Sequence, residues 1–291
     1  MSGGSLMDAK FHPAIAAITA GDLDGLREMI ATDPSLATAR SSRSHPTLLQ
    51  CLVLDALDVP NKVEMANVLI DAGAEINGPL GAAASIDNVE IAALLLNRGA
   101  AINGVGSWSP LEETLYWRNY RVRDLLLERG ASMHNLRIAS GLGRLDLIES
   151  FFRGDGSLRP EAGNIDWPFR ELEESKLNCA IKAELQAKVA KWSDDPDDII
   201  NNAFVYACNN NQIEAARLLL EKGAQVNAIP PGFDYAGTGL HYAAHNGDRA
   251  LVEFLLEQGA DVNVKDTKVG STPAGWADHG GHPELKAYLE Q

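Results

Sequence analysis

Apolar residues recur along the chain three and four positions apart, in short runs that all end alike. VEMANVLIDA before Gly73, VEIAALLLNR before Gly99, YRVRDLLLER before Gly130, IEAARLLLEK before Gly223 and ALVEFLLEQ before Gly259 share this pattern. The spacing gathers the apolar side chains on one face of a helix and leaves charged residues on the other. The glycine that follows fits a left-handed C-terminal cap, a conformation that costs a residue with a Cβ roughly 1 kcal/mol or more. A near-identical phrase then returns each time: GAEIN, GAAIN, GASMHN, GAQVN, GADVN. Such self-similarity predicts stacked units, each too small to bury its apolar face alone.

The unit is most complete from Thr238 to Asn263, TGLHYAAHNGDRALVEFLLEQGADVN. It resembles an ankyrin repeat, a unit of about 33 residues whose first helix opens on Thr-Pro-Leu-His-x-Ala. Gly239 stands where the family usually has proline. Further copies start at Gly78, Ser109 and Asn202, with a C-terminal STPAGWADHGGHPELKAYLE from Ser271. The run from His12 reads as a capping unit, His45 opens a unit with extra residues around Pro60, and the run from Asn135 is degenerate but in phase. The resemblance, covering about eight units, implies an all-α fold: an ankyrin-repeat solenoid of stacked helix-turn-helix units with short hairpin loops. The expected organisation is a flexible tail of linker type over 1–10, N-terminal repeats over 11–153, an insert over 154–198, and C-terminal repeats with a cap over 199–291. The insert begins as a Gly/Pro-rich loop with Trp167 and Phe169. A stripe of Leu177, Ile181, Leu185, Val189 and Trp192 follows and is expected to form an extra helix. Asp195 is the expected N-cap of the next helix, with Pro196 at its first position.

Composition narrows the partners more than the fold. The 291 residues are 45% hydrophobic and 22% charged, as in an ordinary folded protein. A net charge of −15 disfavours nucleic-acid phosphates and anionic membrane surfaces as partners. No apolar run reaches the roughly 18 residues of a membrane span, and the first residues lack a signal-peptide core. The three cysteines, Cys51, Cys179 and Cys208, show no Cys-x-x-Cys spacing. They indicate free thiols in a reducing compartment, so a cytoplasmic location is expected. Without a Walker loop, a dinucleotide glycine motif or a zinc framework, no metal and no cofactor is expected.

His241 and His245, four residues apart, share a helix face but not a role. The family resemblance implies that His241 bonds backbone near the hairpin, whereas His245 occupies a concave position that varies with the partner. That position falls on Thr19, Ser85, Tyr116, Gly141, Asn209, His245 and His279, and its successor on Ala20, Ile86, Trp117, Leu142, Asn210, Asn246 and Gly280. A polar ladder of Asn209, His245 and His279 and an aromatic patch of Tyr116 and Trp117 are therefore expected. Tyrosine and tryptophan among polar neighbours are the residue types of binding hot spots. The candidate partner contacts are Trp108, Tyr116, Trp117, Asn209, Phe233, Tyr235, His245 and His279. Glu112 and Glu113 replace the usual His-Leu, and Asp278 replaces a small alanine, each putting a carboxylate on a semi-buried face that needs a partner or a function. Arg118, Arg121 and Arg123 stand ready to pair with the two glutamates. The first reading is a non-catalytic module binding a protein partner along its concave groove. A second stays open: a small-molecule pocket, or an acid/base enzyme of lyase, isomerase or hydrolase type, with His245, His279, Asp278 and Asp234 as its catalytic groups.

Overall fold

The computed structural model describes residues 9–41, 45–104, 109–163, 193–231 and 237–291. Trp108, the stretch 164–192 with Trp167, Phe169 and the Leu177–Trp192 stripe, and Phe233, Asp234 and Tyr235 lie outside the described residues, as does most of the expected tail. Lys10, at the end of that tail, is tied to Asp33 at 3.1 Å and to Ser35 at 2.8 Å. Among the described residues there is no strand, only an isolated antiparallel bridge between Phe152 and Leu158. The chain forms two compact units, Met1–Ala131 and Ser132–Gln291.

The first unit holds four helix pairs: α1 (His12–Ala20) with α2 (Leu23–Thr32), followed by a short α3 (Ser35–Thr38); α4 (Leu48–Leu54) with α5 (Lys62–Asp71); α6 (Asn77–Ser85) with α7 (Val89–Asn97); and α8 (Pro110–Trp117) with α9 (Tyr120–Glu128). First helices pack on first helices and second on second, in chain order. The apolar periodicity of the second helices explains this. Leu26 and Ile30, Met65 and Leu69, Ile91 and Leu95, and Val122 and Leu126 are buried pairs one helical turn apart. Each such side chain contributes about 1.5–3 kcal/mol by leaving water. Ala83 and Ala84 in α6 are fully buried, and their small size lets neighbouring first helices approach closely.

The recurring phrase performs two tasks. Gly99 sits at φ 91° and its amide donates to the Leu96 carbonyl at 3.1 Å, while Ala100 donates to Leu95 at 3.0 Å, a helix end of Schellman type. A Cβ on Gly99 would meet nothing within 4 Å, so the dihedral alone selects glycine here. The closing asparagine links repeats. Asn77 Oδ1 accepts from the Ala101 amide at 2.8 Å, and in the second unit Asn227 Oδ1 accepts from Asp261 at 2.8 Å.

Among the described residues the second unit also holds four pairs: α10 (Leu136–Gly141) with α11 (Leu145–Ser150), α12 (Pro196–Asn209) with α13 (Ile213–Glu221), α14 (Gly239–His245) with α15 (Arg249–Glu257), and α16 (Pro273–His279) with α17 (Pro283–Leu289). Asp195 caps α12 by accepting from the Asp197 amide at 2.9 Å, with Pro196 at the first position. That start makes α12 14 residues long, so the boundary expected at 198/199 falls inside one helix. Gly239 departs from the proline of the family pattern for lack of space. A Cβ there would come within 2.7 Å of Cys208 Sγ, on a helix whose Phe204 and Cys208 are fully buried.

Candidate functional site

Two side-chain clusters stand where a first helix ends, one in each unit. In the first unit, Ser109 and Glu112 close a capping box at the start of α8. Ser109 Oγ accepts from the Glu112 amide at 3.1 Å, and Glu112 Oε2 accepts from the Ser109 amide at 3.3 Å. Gln50 does the same for Thr47 at the head of α4. The buried Glu112, 2% exposed, is thus the capping equivalent of the family's histidine, and its departure from the pattern needs no catalytic explanation. Glu113 Oε2 instead accepts from Trp117 Nε1 at 3.1 Å. Arg118 donates to the Tyr120 hydroxyl at 2.9 Å, and Arg123 pairs with Asp124 at 2.7 Å.

Tyr116 and Trp117, expected to form an aromatic patch, touch but differ in depth, and Tyr116 is buried. Tyr116 and Trp117 meet edge to face with centroids 4.9 Å apart. Their exposures differ sharply: Tyr116 is 8% exposed and Trp117 49%. Tyr116 therefore lies behind Trp117 and holds it, while Trp117 presents a free aromatic surface.

In the second unit, Trp276 of α16 is the centre of a ring cluster. His241 and Tyr242 each lie 5.2 Å from it edge to face, and His245 lies at 6.0 Å. His279 stacks on His245 at 5.8 Å with the planes inclined by 22°. His241 is fully buried and accepts from the Thr238 amide at Nδ1, 3.1 Å away. Its Nε2 therefore carries the proton and donates to the Ser271 carbonyl at 3.1 Å. Burial pushes its pKa below the ordinary 6.5, against the opposing pull of the Ser271 bond and Asp266. The structural role implied for His241 is what the geometry gives it. His245, half-buried, and His279, exposed, come together as a pair at the helix ends.

Asp266, a residue the repeat pattern did not single out, organises this cluster. It is 4% exposed, and Oδ1 accepts from the amides of Lys268 at 2.9 Å and Val269 at 2.8 Å. Oδ2 accepts from Ser271 at 2.8 Å and from Trp276 Nε1 at 3.1 Å. Burial works to raise its pKa, yet these hydrogen bonds outweigh it and bring the carboxyl down to about 2. The available sequence signal was local: aspartate followed by Thr-Lys-Val-Gly is turn chemistry, with Gly270 at φ 71°.

Two expectations change. Asp278 is not semi-buried; its side chain is 58% exposed and pairs with Lys286 of α17 at 3.1 Å, a bond that raises the lysine's pKa. Of the acid/base set, Asp278 is thus paired with a lysine, and Asp234 lies outside the described residues. Asn209, at 4% exposure, is enclosed, accepting from Asn246 Nδ2 at 3.2 Å on Oδ1 and 3.1 Å on its carbonyl. It links consecutive repeats from behind the His245–His279 pair. Among the described residues no group of three or more His, Cys, Asp or Glu is placed to hold a metal ion, and no helix is long and apolar enough to cross a membrane.

Residues 177–289 match the sequence family described as Ankyrin repeats (3 copies). No curated protein matches the chain.

Proposed function

Taking as premise that the chain is an ankyrin-repeat protein, a class of generally protein-binding modules, we propose that it is a non-catalytic module gripping a protein partner along the concave side of its first helices. The observation that carries this reading is Trp117. A large aromatic side chain, half exposed at a helix end, is held in one orientation by Tyr116 and Glu113. A preorganised anchor of this kind loses little entropy on binding. His245 and His279 supply polar contacts in the second unit, Tyr116 and Asn209 support from behind, and Trp108, Phe233 and Tyr235 complete the proposed contact set. A small-molecule or acid/base role for His245, His279, Asp278 and Asp234 draws no support from the Asp278–Lys286 pair.

The test is affinity capture from the lysate of the source cell, comparing wild type with Trp117→Ala and with His245→Ala/His279→Ala. Circular dichroism checks that each variant is folded. Removing the half-buried Trp117 costs at most about 2.5 kcal/mol of stability, which the folding check reads, and removes a contact worth about 2 kcal/mol or more if it is a hot spot. Proteins retained by wild type and lost by the folded variants support the reading. Identical capture by all three refutes it.

A further inference from the structure

The connections between paired helices in the first unit are unequal. Ile86, Asp87 and Asn88 join α6 to α7, and Arg118 and Asn119 join α8 to α9, but seven residues, Asp55 to Asn61, join α4 to α5. The long connection is pinned at several points. Lys62 Nζ donates to the carbonyls of Val53 at 3.0 Å and Leu57 at 3.5 Å. His45 Nδ1 lies 2.8 Å from Asp55 Oδ1. Pro60 packs so tightly on Gly21 that a Cβ there would fall within 2.6 Å of its ring. Held this way, the segment leaves Leu57 57% exposed.

Leu57 and Asp58 line a surface hollow of about 410 Å³ together with Ile86 to Glu90, at the turn into α7, and Arg121. Two of its polar residues are already engaged. Asp87 Oδ1 accepts from the Val122 amide at 2.8 Å, and Asn88 Oδ1 caps α7 through the Ile91 amide at 3.0 Å. Asp58 and Glu90 are exposed, and Leu57, Ile86 and Val89 line the same hollow. Lys62 acts electrostatically on Asp58, but its ammonium is turned inward on the two carbonyls.

We propose that this hollow receives one lysine or arginine side chain of a partner peptide, its aliphatic stem on Leu57, Ile86 and Val89 and its charged head at Asp58 and Glu90. Long basic side chains bury their stems on apolar surface while the head stays polar. The hollow carries three carboxylates against one guanidinium, in a chain of net charge −15, so its field favours a cation. Arg121, the one cation in the lining, selects against a run of cations. The fitting partner is a single basic residue flanked by apolar ones, not a polybasic tract. Ile86 is one of the concave positions named above, so the site adjoins that surface, while its other wall stands on the lengthened turn.

The full chain is probed against an array of short synthetic peptides of random composition, and peptides retained are measured by fluorescence polarisation. The expected binders carry an isolated lysine or arginine beside leucine, isoleucine or valine. Their affinity falls at least about tenfold in Asp58→Asn/Glu90→Gln and on replacing the basic residue by a neutral isostere, such as citrulline for arginine. The His245→Ala/His279→Ala variant binds them as wild type does, which keeps this result apart from the fate of the proposed contact surfaces. Leu57→Ser gives a second reading of the apolar wall; if it lowers the melting temperature, the Asp58→Asn/Glu90→Gln variant, which removes no packing, decides alone. Acidic peptides that are lost with Arg121→Gln overturn the proposal, as do peptides indifferent to every hollow substitution. An array that retains nothing also overturns it.

Discussion

Replacing Asp266 by asparagine removes a charge while keeping shape and one acceptor oxygen. Four donors converge on the two carboxylate oxygens, three backbone amides and Trp276 Nε1, at 2.8–3.1 Å. A fall of the pKa from 3.8 to about 2 means that the folded state favours the ionised form by roughly 2 kcal/mol, at about 1.36 kcal/mol per unit. Asparagine forfeits that preference and turns an NH₂ toward a donor, so the expected loss near neutral pH is about 2–3 kcal/mol. The folded carboxyl titrates below the unfolded one. Its stabilisation is therefore complete above pH 3.8 and disappears as pH falls through about 2. Urea unfolding followed by circular dichroism, run on both proteins from pH 7 down to pH 2, reads this directly. Other carboxylates protonate over the same range in both proteins, so the difference between them isolates Asp266. The expected gap of about 2–3 kcal/mol closes with acidification. A gap that is independent of pH, or one under about 0.5 kcal/mol at pH 7, refutes the reasoning.

His241 is held neutral by burial, and protonating Nδ1 breaks its bond from the Thr238 amide. Its contribution to stability is therefore complete above pH 6.5 and is lost as pH falls below it; His241→Gln, which keeps an acceptor for the cap, flattens that part of the pH profile in urea titrations at pH 7.5 and 5.5. Gly239→Pro restores the family pattern yet costs about 1–3 kcal/mol, because the added atoms meet Cys208 Sγ. Cys208→Ala recovers part of that loss in a double-mutant cycle, and a stabilised Gly239→Pro protein would contradict the steric account. Burial pushes the Cys208 thiol far up, so a thiol reagent labels it only after denaturation, as mass spectrometry of the labelled peptide checks.

The fold was legible because its determinants are local and repeated. A glycine at the helix end, an apolar pair one turn apart and an N-cap such as Asp195 each act within a few residues, and the chain writes them several times over. The site was legible only where it follows repeat register, as with Tyr116, Trp117, His245 and His279. Register gives the position of a residue on a helix but not its depth. Asn209 and Asp278 illustrate the limit: one is enclosed by Asn246 of the next repeat, the other freed by Lys286 of the adjoining helix. Glu112 shows a different limit. Comparison with the histidine of the pattern made it look like a misplaced charge, whereas the N3 position of a capping box accepts glutamate, glutamine or histidine alike. Asp266 stayed hidden because its partner Trp276 lies ten residues on, beyond any repeat-based comparison.

Trp117 and Trp276 show why residue type alone does not identify a contact. Trp276 has its N–H taken by Asp266 and its ring bordered by His241, Tyr242 and His245. Its free energy is already committed to the fold, and what it offers outward is a stiff mounting for His245. Trp117 ends its helix with one edge on Tyr116 and its N–H on Glu113, and 49% of its surface still meets water. For a side chain that buries about 200 Å² in full, the remaining half is worth about 2.5 kcal/mol to a partner that covers it. The same truncation therefore has different consequences at the two positions. Trp276→Ala lowers the unfolding free energy by about 3–5 kcal/mol and disturbs any binding only through the fold. Trp117→Ala gives up at most about the 2.5 kcal/mol of stability its buried half supplies and also weakens the partner by roughly the 2.5 kcal/mol its exposed half supplies. Paired thermal melts and binding curves for the two variants separate these cases, and a Trp117→Ala protein as destabilised as Trp276→Ala would mean that Trp117 belongs to the core instead.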